Sequence, residues 1–312
     1  TLSSIMNIVD PAVTDGLQRI AVEESPSRIP ILFARDVVHG FNTVLPIPLG
    51  MAASWDDELI EQAARNTALE ATEKGIRWAF APMMDIARDP RWGRVAEGSG
   101  EDPYLDVQMG VAMVKGYQGE TIDQTSMAAC VKHFVAYGAP EAGREYNTVD
   151  MSERMFRDRY LPPYKAALDA GAVTVMSSFN DYDGIPATGN KWLLKDVLRD
   201  ELGFDGFVVS DYDAVHEMVY HGVAKDGKDA ARMALEAYLN MEMTSGDYIN
   251  HGEELVEEGV IPESLLDELC RNILVAKYEL GLFEDPYRCC IFDRAMALYT
   301  FKPKAVKPIF NK

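Results

Sequence analysis

Short apolar runs alternate with longer helix-forming stretches along most of the 312-residue chain. The runs near 31–35, 47–50, 77–81, 129–134, 172–178, 206–210 and 239–243 are nearly all apolar, as parallel strands buried on both faces require. The stretches between them have legible helix ends. Ser54 predicts a cap for a helix running toward Lys74, Asp102 followed by Pro103 opens another, and Ser152 and Asn190 begin two more. The last helix starts around Pro262, repeats Leu266, Leu269, Ile273, Ala276 and Leu280 at spacings of three and four, and stops at Gly281. Repeated strand-then-helix units close into a barrel or open into a doubly wound sheet.

The polar residues at the ends of the apolar runs favour the barrel. Asp36, Asp85, Lys132 with His133, Asn180, Asp211 and Glu242 all stand where a predicted strand ends. In a (β/α)8 TIM-type barrel those ends converge on one mouth, whereas an open sheet confines its ligand crevice to a switch point. The expected architecture is therefore a single barrel domain over 1–288, regular or irregular, with a linker-like or truncated tail over 289–312 that lacks the amphipathic pattern.

Composition removes several functions. The formal net charge is -20 with no compensating basic cluster, so nucleic acid is not an expected partner. No apolar run is long enough to span a bilayer, and no basic start leads into an apolar stretch, so no membrane association is expected; the compartment and the oligomeric state stay open. Cys130, Cys270, Cys289 and Cys290 match neither a zinc motif nor a disulfide framework, and Cys130 reads as a small buried side chain. The glycines near Arg94 lack the Gly-Lys-Ser or Gly-Lys-Thr of a phosphate loop. No metal and no cofactor is expected.

The segment Gly206-Phe207-Val208-Val209-Ser210-Asp211-Tyr212 delivers a carboxylate on the end of an apolar strand. Such a group can attack an anomeric carbon, or simply cap the next helix. Asp36 can accept from sugar hydroxyls or pair with an arginine. Lys132 and His133 put two polar side chains next to each other at a strand end, and Arg94 lies in a loop of guanidinium and carboxylate groups that suits a substrate rim or a surface salt bridge.

The strings R-D-P-R-W-G-R, K-H-F-V-A-Y-G, E-Y-N-T-V-D-M-S, the long D-G-I-P-A-T-G-N-K-W-L-L-K-D-V-L-R-D-E-L-G-F-D-G-F-V-V-S-D-Y and the closing Y-E-L-G-L-F-E-D-P-Y resemble the N-terminal barrel of glycoside hydrolase family 3, in its bacterial β-glucosidase branch. The likeness runs from about residue 5 to residue 288. It implies a retaining, exo-acting β-glycosidase for small oligosaccharides or β-glucosides. Asp211 would be the nucleophile; Asp36, Arg94, Lys132 and His133 would hold the sugar, with Tyr212 lining the pocket where many relatives carry Trp. It also implies an acid/base Glu on a following domain not included in this chain. The branch whose barrel loop reads K-H-F-P-G-H-G supplies a His there, but Val135-Ala136-Tyr137 replaces that pattern here. Asn240-Met241-Glu242-Met243 stands for the family's D-M-D-M, and Ser99 for a Phe, departures expected to bear on substrate preference. A sugar-binding barrel without turnover, β-xylosidase specificity and an aldolase with Lys132 as Schiff base are the competing readings.

Overall fold

The computed structural model describes residues 2–287; the expected tail, with Cys289 and Cys290, lies outside the described residues. Seven parallel strands form one curled sheet in the order β1 (Ser4–Met6), β2 (Leu32–Arg35), β3 (Trp78–Ala79), β4 (Ala128–Phe134), β5 (Thr174–Ser177), β8 (Phe207–Tyr212) and β9 (Met241–Met243), while β6 (Asp181–Tyr182) and β7 (Ile185–Pro186) make a separate antiparallel hairpin. Helices connect consecutive parallel strands and pack outside the sheet, giving a barrel-like α/β domain.

Two differences from the expected strands have physical causes. The run 47–50 is not a strand but the opening of the helix Pro48–Ala52. Pro48 has no N–H to give a ladder and its fixed φ suits the first helical turn. Conversely β1 is three residues long and only half buried, so it carries no continuous apolar signal. At the caps, Asp102, Ser152 and Asn190 accept from backbone N–H groups as expected. Ser54 does not; Asp56 caps the helix Asp57–Thr72 through Leu59 N–H.

Strand residues divide between two environments with a period of two. Leu32, Ala34, Trp78, Phe80, Ala128, Cys130, Phe207, Val209 and Met241 share the interior cluster, whereas Ala79, Ala129, Val131, Val175 and Val208 pack outward with the helices. This is why the strands read as unbroken apolar runs. Trp78 fills the centre, with its ring edge-on to Phe80 and Phe207 at 4.8 and 5.0 Å and its indole N–H donated to Thr174 Oγ1 at 2.8 Å.

Among the described residues, no ladder joins β9 to β1. Instead Ser4 Oγ donates to Met241 Sδ at 3.2 Å across that seam. The buried Lys277, in the final helix Glu263–Glu279, donates to Ser3 O at 2.7 Å and Pro30 O at 2.8 Å. The final helix thus ties together the starts of β1 and β2.

Candidate active site

The interior alternation carries the chemistry. Two residues beyond Ala34, Cys130, Val209 and Met241, the inward positions are Asp36, Lys132, Asp211 and Met243, and all four line one cavity of about 330 Å³. Phe80 and Met176 also line it, with Arg94, Glu97, His133 and Tyr212 among the other walls. The volume lies toward the small end of the roughly 300–1,000 Å³ typical of small-molecule sites.

His133 should face away from Lys132 in a regular strand. The register of β4 against β5 shifts between Val131 and Phe134, and both side chains reach the same cavity. Lys132 Nζ donates to Asp36 Oδ1 at 2.6 Å; the ammonium is buried while the carboxylate remains half exposed to the cavity. Asp36 therefore pairs with Lys132, while Arg35, its sequence neighbour, turns to Asn7 Oδ1 at 2.9 Å.

Asp211 is 9% exposed at the tip of β8. Its Oδ1 accepts the Tyr212 N–H at 2.7 Å. Its Oδ2 lies 3.2 Å from His133 Nε2, yet among the described residues no hydrogen bond reaches that oxygen. Burial raises the Asp211 carboxyl above its ordinary value, against the opposing pull of Lys132, the Tyr212 N–H and Arg94. The alternative reading as a helix cap does not hold: Asp213 occupies the N-cap position of the helix Ala214–Tyr220, with no side-chain cap bond.

Arg94 comes from the loop after β3. Its Nε and Nη2 donate to Glu97 Oε1 and Oε2 at 2.7 and 2.9 Å, a bidentate pair that fixes the guanidinium plane. Its Nη2 is 3.2 Å from His133 Nε2, and its central carbon stands 5.4 Å over the Tyr137 ring. Burial opposes the charge on Arg94, but the bonds to Glu97 and the field around it outweigh that and hold it cationic. Arg91, from the same segment, pairs with Asp89 at the surface. Tyr212 stands on the rim, 57% exposed.

The remaining strand-end groups do other work. Asp85 is buried behind His133, with Oδ2 accepting the His133 N–H at 3.0 Å and facing Nδ1 at 2.8 Å. Asn180 donates to the Val135 and Asp181 carbonyls. Glu242 accepts from Asp247 N and Tyr248 N, both at 2.9 Å, at the head of the next helix. Asn240 bonds to Arg199, Val208, Leu269 and Asn272. Asn240, Glu242 and Ser99 do not line the cavity, so the departures expected to bear on substrate preference sit behind the wall. Met6 and Asn7, at the end of the unexpected β1, do line it. Among the described residues, no group of three or more His, Cys, Asp or Glu could hold a metal ion, and no helix is long and apolar enough to cross a membrane.

A barrel that gathers three carboxylates, an ammonium, an imidazole and a guanidinium around one cavity of this size defines a class of protein equipped to grip a small hydroxyl-rich ring. The chain belongs to glycoside hydrolase family 3: the glycosyl hydrolase family 3 N terminal domain matches residues 5–276. It is 48% identical over 288 residues to the periplasmic beta-glucosidase of Salmonella typhimurium, covering 92% of this chain and 38% of that protein. It is 40% identical over 259 residues to a beta-xylosidase of Formosa agariphila, covering 79% of this chain and 36% of that one. The beta-glucosidase from Listeria innocua, in a crystal structure with gluconolactone, superposes with a TM-score of 0.92 at 48% identity, covering 96% of this chain and 42% of that one. The chain thus spans about two fifths of the length of these relatives.

Proposed function

We propose that this chain carries the sugar-binding and nucleophilic half of a retaining, exo-acting β-glycosidase of β-glucosidase type. The observation that carries the reading is the Asp211 carboxylate, held on a strand tip with Oδ2 free of donors and facing a cavity walled by Asp36, Lys132, His133 and Arg94. Asp211 attacks the anomeric carbon to form a glycosyl ester, and water then releases the sugar with its configuration retained. Asp36 accepts from one sugar hydroxyl while Lys132 and Arg94 donate to others, and Tyr212 flanks the group that leaves.

Protonation of the leaving oxygen needs a second carboxyl, about 5–5.5 Å from the first in retaining enzymes. The acids of this cavity are committed elsewhere: Asp36 to Lys132 and Glu97 to Arg94. A substrate whose leaving group needs no proton is accordingly the right probe. Incubation with an activated 2-fluoro-glucosyl fluoride is expected to label Asp211, read by mass spectrometry of the digested chain, while Asp211→Asn takes up no label. On cellobiose the chain is expected to be nearly inactive. Label on a different residue overturns the assignment, and calorimetric binding of glucose without any labelling favours a binding module. The Formosa agariphila relative supports a second specificity; release of nitrophenol from the aryl β-xyloside faster than from the β-glucoside would select it.

A further inference from the structure

Behind the cavity, a set of fully buried groups constrains where the hydrogens around His133 sit. Tyr164 Oη is 2.5 Å from the His133 carbonyl and 3.1 Å from Asp85 Oδ1. A phenol has one hydrogen, and the carbonyl can only accept. The shorter contact takes the Tyr164 hydrogen, so a good bond across the longer one needs a hydrogen on Asp85 Oδ1. Burial favours that state, since it pushes the Asp85 carboxyl up to about 7. Asp85 Oδ2 then accepts twice, from the His133 backbone N–H and from Nδ1. On the other edge of the ring, Arg94 Nη2 lies 3.2 Å from Nε2 and has only hydrogens to offer, so Nε2 must carry a lone pair. Burial, with Arg94 and Lys132 nearby, holds the imidazole well below its usual value and hence neutral.

We propose that Asp85 is a positioning residue for the glycosidase reaction, holding His133 as the neutral tautomer with its hydrogen on Nδ1, so that no N–H is donated to Asp211. The consequence falls on the nucleophile. With the hydrogen on Nε2, the N–H edge of the ring would stand 3.2 Å from Asp211 Oδ2, where a small turn of the ring would put a charge-assisted hydrogen bond on the attacking oxygen and hold back its lone pair. With the hydrogen on Nδ1, the ring has no N–H to turn toward Oδ2, which has no donor in the present geometry.

This inference deepens the proposed glycosidase reading and rests on it for its catalytic part, but the tautomer can be read independently. Ring nitrogens of ¹⁵N-histidine-labelled chain report it directly, with the His133 signals assigned by their loss in His133→Gln. The expected result is a protonated Nδ1 and an unprotonated Nε2, unchanged from about pH 5 to about pH 8. Asp85→Asn reproduces the protonated acid, since its carbonyl accepts from His133 and its amide donates to Tyr164. It is expected to keep both the tautomer and the labelling rate. Asp85→Leu removes the acceptor, moves the hydrogen to Nε2 and slows labelling of Asp211 by about ten- to a hundredfold, the rate equivalent of one charge-assisted hydrogen bond. A protonated Nε2 in the unaltered chain overturns the proposal. So does Asp85→Asn slowing labelling as much as Asp85→Leu while its circular dichroism and melting stay unchanged. The expected tautomer in a chain that takes up no label refutes the glycosidase reading instead and leaves the tautomer assignment standing.

Discussion

At the scale of single residues, buried acids set how this barrel responds to pH. Asp106, in the first turn of the helix Pro103–Gln118, is 1% exposed, and burial pushes its carboxyl from 3.8 to about 8. The folded chain then holds a proton that the unfolded chain releases above about pH 4. Stability therefore falls as pH rises from about 4 to about 8. Asp106→Asn removes that dependence. Melting temperatures measured at about pH 5 and about pH 8 are expected to lie closer together in the variant, with the gain on the alkaline side; an unchanged gap would place the proton elsewhere. Residue-scale reasoning from sequence singled out Asp36, Lys132, His133 and Asp211 because each ends an apolar run; a count of two from the inward strand positions accounts for three of them, and His133 reaches the cavity where the register of β4 shifts. It did not give Asp85 its place behind His133 or bring in Tyr164, because the contact spans 79 residues and joins the end of one strand to a helix. Arg94 was legible only as one of two readings, a substrate rim or a surface salt bridge, since no periodicity points a loop residue inward.

At the scale of elements, the tightest junction is between the helices Asp57–Thr72 and Pro103–Gln118. A side-chain carbon added at Gly116 would stand 2.4 Å from Glu61 O and 2.6 Å from Ala64 Cβ, closer than atoms can approach. Helix propensity alone would make Gly116→Ala stabilising by about 1 kcal/mol. Overpacking against backbone costs roughly 1–3 kcal/mol and should win. The midpoint of urea unfolding is expected to fall in this variant, and a rise would mean that the helices separate at little cost. Element boundaries were legible where a physical signal marks them: Asp102 with Pro103, Ser152, and the Gly281 stop with its left-handed φ of 73°. They were illegible where two signals compete. Ile47-Pro48-Leu49-Gly50 is apolar enough for a strand, but the proline decides for a helix, and with it falls one of the expected barrel strands.

At the scale of the whole molecule, no ladder joins β9 to β1 among the described residues, and a side-chain contact, Ser4 Oγ to Met241 Sδ, spans the gap. Beside it Lys277 donates from a fully buried position to Ser3 O, ahead of β1, and Pro30 O, ahead of β2, and so fixes the first two strands to each other. Lys277→Ala takes the side-chain donor from Pro30 O, leaves Ser3 O with the Leu32 N–H alone, and opens a cavity where the aliphatic stem lay, at a cost of roughly 2–5 kcal/mol. Global unfolding in denaturant is the measurement; a loss well under about 1 kcal/mol would show that the starts of β1 and β2 are held by other contacts. The barrel itself was readable from the alternation of runs and helices, but its seven strands and this unladdered seam were not, because β1 is too short and too exposed to announce itself.

The packed rings of Trp78, Phe80 and Phe207 give the barrel a solid base. It works as a cup and not as a tunnel: a molecule that enters past Tyr212 has to back out by the same route. A long polymer can present its tip to such a vessel but cannot thread through it, so in the proposed glycosidase the limit to one unit at a time would come from the plug beneath the cavity.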